Sequence, residues 1–296
     1  MDKETLKKYR KAGEIAAKAR NFGEDLIKEG RSYCEIVDGT EKKIKDLGGK
    51  PAFPVNLSIN DIGAHDTADV NEKRAAVEGL VKLDVGVHID GYIGDTATTV
   101  PLNTDKEKLL KASKEALERA LGMIRPGVKI SKISSEIEGT IKSFGYKPIR
   151  NLTGHGLGKY DLHAKTKFPN VGTDLDYKLE KGDVFAIEPF ATDGSGKVIE
   201  SSRAMIFKWQ KEVPVRSREG RKILRMSKND FDKLPFSKRW LKDRISRLRL
   251  NMSLRELTDR NALYRYPVLK EVDGGDISQA EHTVIVDEKP EITTKI

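Results

Sequence analysis

The sequence predicts an α+β fold built from two related halves, in each of which helices back a curved sheet. Three observations carry that prediction. At a fixed offset of 97 residues, Ile27, Gly30, Ile36, Ile44, Lys45, Gly48, Lys50 and Pro51 recur as Ile124, Gly127, Ile133, Ile141, Lys142, Gly145, Lys147 and Pro148, with Leu47 matched by Phe144. Apolar residues recur at helical spacing at the start of each half. Between them, an alternating run rich in β-branched residues over 81–100 bends at Asp90-Gly91.

In the first half Leu6, Tyr9, Ile15, Ala16 and Ala19, continued by Phe22 and Leu26, put an apolar stripe on one long helix, and Gly30 is its stop signal. A second helix follows, in which Cys34 is a small packed side chain. Leu109, Leu110, Ala116, Leu117, Ala120 and Leu121 repeat the stripe in the second half, and Gly127 repeats the stop. Each half then passes through its second helix into strands. Asp90-Gly91 is the signal of a two-residue hairpin loop. With that loop Ile89 faces Tyr92, His88 faces Ile93 and Asp84 faces Ala97, so Asp95 is the diagonal neighbour of Asp84 on the same face, roughly 7 to 8 Å away. A three-residue loop would put the two carboxylates on opposite faces.

These acids stand in apolar surroundings. Asp84 lies among Val81, Leu83, Val85 and Val87, Glu188 lies in the run VFAIEPF, and Glu281 lies in AEHTVIV, where an unpaired buried charge is too costly to persist. With Asp95 and His155 they make four carboxylates and one imidazole, the composition of a two-metal hydrolase site. Four negative charges sharing a cavity repel one another unless two divalent cations balance them. Oxygen-rich ligation with a single imidazole suits Mn, Fe, Co or Zn.

Other chemistries find no support. Gly154, Gly156 and Gly158 space as GxGxG, but Lys159 stands where a dinucleotide fingerprint needs its third glycine, and there is no GxSxG elbow and no phosphate-binding GKS or GKT. No apolar stretch nears the roughly 20 residues that span a bilayer. Residues 1–10 are charged and lack a signal-peptide core, and the single cysteine rules out an internal disulfide. The expectation is a cytoplasmic enzyme with no membrane partner. Charge is concentrated: 201–266 hold 19 Lys and Arg against 7 Asp and Glu, a net of +12 beside +9 for the whole chain, so the remainder carries −3. This segment, with clusters over 216–225 and 238–249, is expected to be a basic helical insertion subdomain interrupting a catalytic domain of 1–200 and 267–296. A basic surface attracts phosphate backbones, which makes ribosomal RNA a candidate partner; a solvated helical face is the other reading.

Asp84-Val-Gly-Val-His-Ile-Asp-Gly followed by Asp95-Thr, then Gly154-His-Gly, Ile187-Glu-Pro-Phe and Glu281-His-Thr, resemble in order the motifs of the methionine aminopeptidases, in the short archaeal-like form of the type II enzymes. The resemblance covers nearly the whole chain. It implies a pita-bread fold, with a curved antiparallel sheet backed by helices and two divalent ions between pseudo-symmetric halves. It implies that Asp84 chelates one ion, that Asp95 and Glu281 bridge both, and that His155 and Glu188 complete the other site. A water or hydroxide between the ions would be the nucleophile, Glu188 the proton shuttle, and His65 and His163 the side chains that contact the substrate amide and steady the tetrahedral intermediate. Phe53, Pro54 and Asn56 resemble the family's methionine side-chain pocket, although a packed turn after Pro51 would explain them equally well. His88 and His282 fit no ligand position and are expected to be structural or to support the ligands.

The implied reaction is removal of the initiator methionine from nascent polypeptides whose second residue is small. An X-Pro peptidase of the same fold shares the five ligands but usually carries a larger amino-terminal domain. A non-catalytic relative that binds RNA or ribosomes would be expected to have lost ligands, and all five are present.

Overall fold

The computed structural model describes residues 1–296, the side chain of Lys165 excepted. Asp2 starts the first helix by accepting the Thr5 amide at 2.8 Å, and α1 (Lys3–Leu26) turns Tyr9, Ala12, Ile15, Ala16 and Ala19 inward. Ser32 and Glu35 form a reciprocal capping box that satisfies two orphan amides at the start of α2 (Tyr33–Asp46). The chain continues through β1 (Lys50–Pro51), β2 (Asn56–Ile59), β3 (Ile62–Ala64), β4 (Gly79–Ile89) and β5 (Tyr92–Leu102). The second half opens with α3 (Glu107–Met123) and α4 (Ile130–Ser143), followed by β6 (Lys147–Pro148), β7 (Thr153–Gly158), β8 (Asp161–Pro169), β9 (Val184–Ile187) and β10 (Phe190–Thr192). Shifted by the 97-residue offset, α2 falls on α4 and β1 on β6 at both ends, and the last residue of α1 falls on the last residue of α3. The repeat read from scattered identities is therefore a repeat of structure.

Every ladder among the described residues is antiparallel. β1, β4, β2 and β5 form one sheet in which Asp90 (φ 51°) and Gly91 (φ 90°) close the expected two-residue turn, with Ile89 opposite Tyr92, Asp84 opposite Ala97 and Gly86 opposite Asp95. α1 and α2 pack Ile15, Ala16, Ile36 and Ile44 against Val81, Leu83, Val85 and Val87 of this sheet. The other half builds the same kind of core from Leu117, Leu121, Ile133, Ile137 and Ile141 with Phe168, Phe185 and Ile187. Burial of these side chains, about 1.5–3 kcal/mol for each large one, is the main favourable contribution on both sides.

The remaining elements are β11 (Val198–Trp209), α5 (Arg218–Asn229), β12 (Phe236–Ser237), α6 (Arg247–Asp259), β13 (Leu263–Glu271), β14 (Ile277–Gln279), β15 (His282–Ile285) and β16 (Glu291–Ile292). The segment expected to be a helical insertion, 201–266, thus opens inside one long strand and closes inside its partner, with the helices between. Strands β11 and β13 pair from Val198–Glu271 to Trp209–Leu263 and carry the segment out from the body. Arg239, 5% exposed, fastens it to α2, with one guanidinium nitrogen on Asp38 and another 2.7 Å from Glu41, while the Trp240 indole donates to Glu41 at 2.8 Å. A buried charge with both partners present holds that orientation strongly, because losing either partner would strand the other.

Candidate metal and active site

Asp84 and Asp95 leave the β4–β5 hairpin as diagonal neighbours on one face. His155 lies on β7, Glu188 follows β9 directly, and Glu281 immediately precedes β15, the strand that pairs with β9. The two halves are joined at this point by individual hydrogen bonds, most of them from side chains, rather than by a ladder. Thr96 donates its hydroxyl to the Glu281 carbonyl at 2.8 Å, the Glu281 amide donates to the Ala97 carbonyl at 3.1 Å, and the Thr99 hydroxyl donates to the Gln279 carbonyl at 2.6 Å. Arg20 of α1 braces the seam from behind by donating to the Thr96 hydroxyl at 2.6 Å.

All five side chains expected at the centre come together. His155 Nε2 is 3.9 Å from Asp95 Oδ2 and 3.7 Å from Glu188 Oε1, and ligand atoms of Asp95, His155 and Glu281 lie within 4.8 Å of one another. Asp84 Oδ1, Asp95 Oδ1, Glu281 Oε2 and His155 Nδ1 are buried without a hydrogen-bond partner among the described residues. Burial drives the Asp84 carboxyl up to about 7. Burial and then the neighbouring carboxylates push Asp95, Glu188 and Glu281 well above their ordinary range. His155 is pulled down to about 4 by burial and stays neutral, as a ligating imidazole must. Converging lone pairs that the protein leaves unsatisfied, in a medium that resists their charge, fit divalent cations.

The cluster lines a cavity of about 280 Å³, at the small end of ligand sites. Phe53, Asn56, His65 and His163 line it too. Pro54 does not: it is buried beside the cavity, and its carbonyl accepts from Asn56 Nδ2 at 3.2 Å. Asn56 sits directly opposite Asp84 in the β2–β4 ladder. Phe53 is pressed so closely on Gly86 that a Cβ there would come within 2.1 Å of its ring, so a side chain at 86 would displace the aromatic wall.

His65 adopts φ 64°, an uncommon conformation for a residue with a Cβ, and its Nδ1 lies 3.1 Å from the Pro267 carbonyl. A carbonyl only accepts, so Nδ1 carries the proton. Burial lowers this histidine to about 4, and the neutral ring keeps a lone pair on Nε2. His163 packs edge-on against His155 at 4.5 Å between ring centres, and desolvation together with His155 and His65 depresses its basicity. Tyr266 of β13 stands against both, 5.1 Å from the His65 ring and 6.3 Å from the His163 ring.

His88 and His282 lie outside the cavity. His88 Nδ1 accepts the Gly91 amide at 3.1 Å and closes the hairpin turn, whereas His282 Nδ1 pairs with the Thr294 hydroxyl at 2.9 Å. Among the cavity residues that escaped the sequence reading are Ile206, Tyr266 and Leu269, on the strands that flank the basic helices, and Pro235. Gln279 also escaped it, although its amide donates to Glu188 Oε2 at 3.3 Å; its spacing of two from Glu281 was the available signal.

A model of metallopeptidase family M24 matches residues 7–219. The methionine aminopeptidase of Thermococcus kodakarensis is 46% identical over 281 residues, covering 94% of this chain and 95% of its own. That of Archaeoglobus fulgidus is 46% identical over 297 residues, covering all of both chains. Among solved structures, the methionine aminopeptidase of Thermotoga maritima superposes with a TM-score of 0.73 at 25% identity, over 100% of this chain and 98% of that one. A thermophilic Arx1 reaches 0.88 at 19% identity, over 99% and 91%, and the prolidase of Pyrococcus furiosus 0.65 at 19%, over 100% and 65%. The last two are likenesses of fold.

Proposed function

Because the chain belongs to metallopeptidase family M24 and is a metalloaminopeptidase of the methionine aminopeptidase kind, we propose that it binds two divalent ions, Mn, Fe, Co or Zn, and removes initiator methionine from nascent polypeptides with a small second residue. The observation that carries this reading is the convergence of four carboxyls, Asp95 and Glu281 buried and Asp84 and Glu188 half-buried, and one neutral imidazole, with unsatisfied lone pairs, on one small cavity. Asp84, Asp95, His155, Glu188 and Glu281 would hold the ions. When bound, such ions make water a nucleophile near neutral pH and polarise a carbonyl.

The chain's own residues supply the rest. Glu188 takes a proton on its carboxyl and passes it toward the leaving nitrogen. His65, with its proton fixed on Nδ1 by the Pro267 carbonyl, presents Nε2 as an acceptor and so suits a substrate backbone N–H. That tautomer leaves donation toward the developing oxyanion to His163, rather than sharing it between the two histidines. Phe53, Asn56 and Tyr266 wall the space for the methionine side chain. Holding the amine, the side chain and the next peptide unit at once turns a bulky second residue into a shift of the scissile carbonyl, and about 1 Å of misplacement can cost on the order of a hundredfold.

The test is kcat/KM over a peptide series with added metal. Met-Ala-Ser and Met-Gly peptides should be cleaved far faster than Met-Leu or Met-Lys ones, and acetylated versions not at all. Equal rates for Met-Ala and Met-Leu, or a preference for X-Pro bonds, would favour the broader peptidase reading.

A second observation supports a partner. Arg218, Arg221, Lys222, Arg225, Arg244 and Arg249 line a groove of about 660 Å³ between α5 and the start of α6, and Glu219 there is paired to Arg249 at 2.9 Å. The groove makes the basic segment a candidate subdomain for contact with ribosomal RNA, where emerging chains would be met in the cytoplasm. No helix is long and apolar enough to cross a membrane.

A further inference from the structure

We propose that Gln279 is a positioning residue for the metal-binding carboxylates, its side-chain amide holding Glu188 while its backbone is fastened to the hairpin that carries Asp84 and Asp95. The proposal rests on reading the cluster as a metal centre. Gln279 is 2% exposed, and its Nε2 donates to Glu188 Oε2 at 3.3 Å.

The strand presenting this side chain, β14, pairs along its three residues with β10 and is also fastened by side chains of other elements. Thr99 accepts the Gln279 amide at 2.8 Å and donates to its carbonyl at 2.6 Å. Lys82, 1% exposed, donates its ammonium to the Ile277 carbonyl at 2.9 Å, and Ser278 donates to the Leu109 carbonyl at 2.8 Å. Lys82 and Thr99 belong to the hairpin that carries Asp84 and Asp95, so the hairpin itself locates the amide.

The choice of side chain follows from chemistry. A primary amide donates without carrying charge, so it can fix a carboxylate oxygen and leave the remaining lone pairs for cations. A glutamate would add a fifth negative charge, and a lysine or arginine would compete with the ions. Groups that hydrogen-bond ligating carboxylates in this way set ligand orientation, and losing one typically costs about 10–100-fold in metal affinity.

The test uses the full chain, stripped of metal and titrated with Mn²⁺ by calorimetry, and separately loaded with Co²⁺ for its visible absorption. Gln279→Met keeps nearly the same volume without donors; Gln279→Asn keeps the amide but shortens its reach. Both variants should bind Mn²⁺ about 10–100-fold more weakly, show altered cobalt bands, and at saturating metal lose kcat on Met-Ala-Ser with KM little changed. Wild-type Mn²⁺ affinity and an unaltered cobalt spectrum in Gln279→Met would overturn the proposal. If that variant does not fold, the same result in Gln279→Asn overturns it. Failure of the wild type to take up Mn²⁺ would instead defeat the metal-centre reading.

Discussion

Thr283 and Asp95, 188 residues apart in the chain, exchange two hydrogen bonds through one hydroxyl: the Asp95 amide donates to Thr283 Oγ1 at 2.7 Å, and that hydroxyl donates to the Asp95 carbonyl at 2.8 Å. Thr96 serves the Glu281 carbonyl similarly. Two acids from opposite halves are thus set side by side by threonines next to them or facing them. The motifs Asp95-Thr and Glu281-His-Thr each carry a threonine for this physical reason.

Thr283→Val keeps the shape and removes the hydroxyl, leaving a buried amide and a buried carbonyl unsatisfied. It should cost about 1–3 kcal/mol in urea unfolding and weaken Mn²⁺ binding, although residue 283 is not itself a ligand. Unchanged stability would show that the strands close up without the hydroxyl.

Glu281→Gln separates stability from metal binding. In the metal-free protein Glu281 faces Asp95, Glu188 and Asp84, and burial with their repulsion drives its carboxyl upward. Neutralising it should raise the melting temperature of the metal-free form, by about 2–4 °C for each kcal/mol relieved, while metal uptake and hydrolysis collapse. A variant that melts lower without metal would mean that the carboxylates are not strained against one another.

The pH dependence of the metal-free form follows from the same groups. Asp84 titrates near 7 and Asp95, Glu188 and Glu281 well above their usual range, so the native state keeps protons that the unfolded chain releases above about pH 4.5; these groups cost stability as pH rises. His65, His88 and His155, lowered from 6.5 to about 4, cost stability as pH falls below 6.5. The two effects oppose each other below pH 6.5. Above it only the carboxyl effect remains, offset in part by Lys82, which burial pulls down to about 7. Metal-free protein should therefore lose melting temperature relative to Mn²⁺-loaded protein, in which Lys82 titrates alike, as pH rises above about 6.5. Calorimetric melting of both forms across that range decides it.

For the basic groove, Arg218→Glu with Arg225→Glu should weaken RNA binding and lower the slope of log affinity against log salt by about 1–2, roughly one for each phosphate that is no longer neutralised. Hydrolysis of Met-Ala-Ser should be unaffected. An unchanged slope would make the groove a solvated face.

The hairpin and the repeat could be read from sequence because each is a local signal: an Asp-Gly turn inside a period-two run, and the same helix ends recurring at one offset. Asp84, Glu188 and Glu281 were legible because carboxylates in apolar strands are costly, Asp95 through the hairpin register, and His155 with the Gly154-His-Gly motif. The rest lacked such a cost. Tyr266 and Ile206 reach the cavity from strands inside a segment recognised by its charge, and net charge averaged over that segment says nothing about the strand ends that return to the body. Gln279 is neutral and common, so only its hydrogen bonds reveal it. Pro54 was grouped with Phe53 and Asn56 by resemblance, but it is buried outside the cavity lining.

Strand β15 stands between β16 and β9 in its sheet, and Glu281 immediately precedes it. On the ribosome, Asp84, Asp95, His155 and Glu188 all emerge first, then the basic segment, and only afterwards the residue that completes the set. A chain halted within the basic segment has four of the five side chains and lacks β15, which pairs with the strand leading into Glu188. With the five residues acting as proposed, hydrolytic competence would arrive only once Glu281 has been made, late in synthesis.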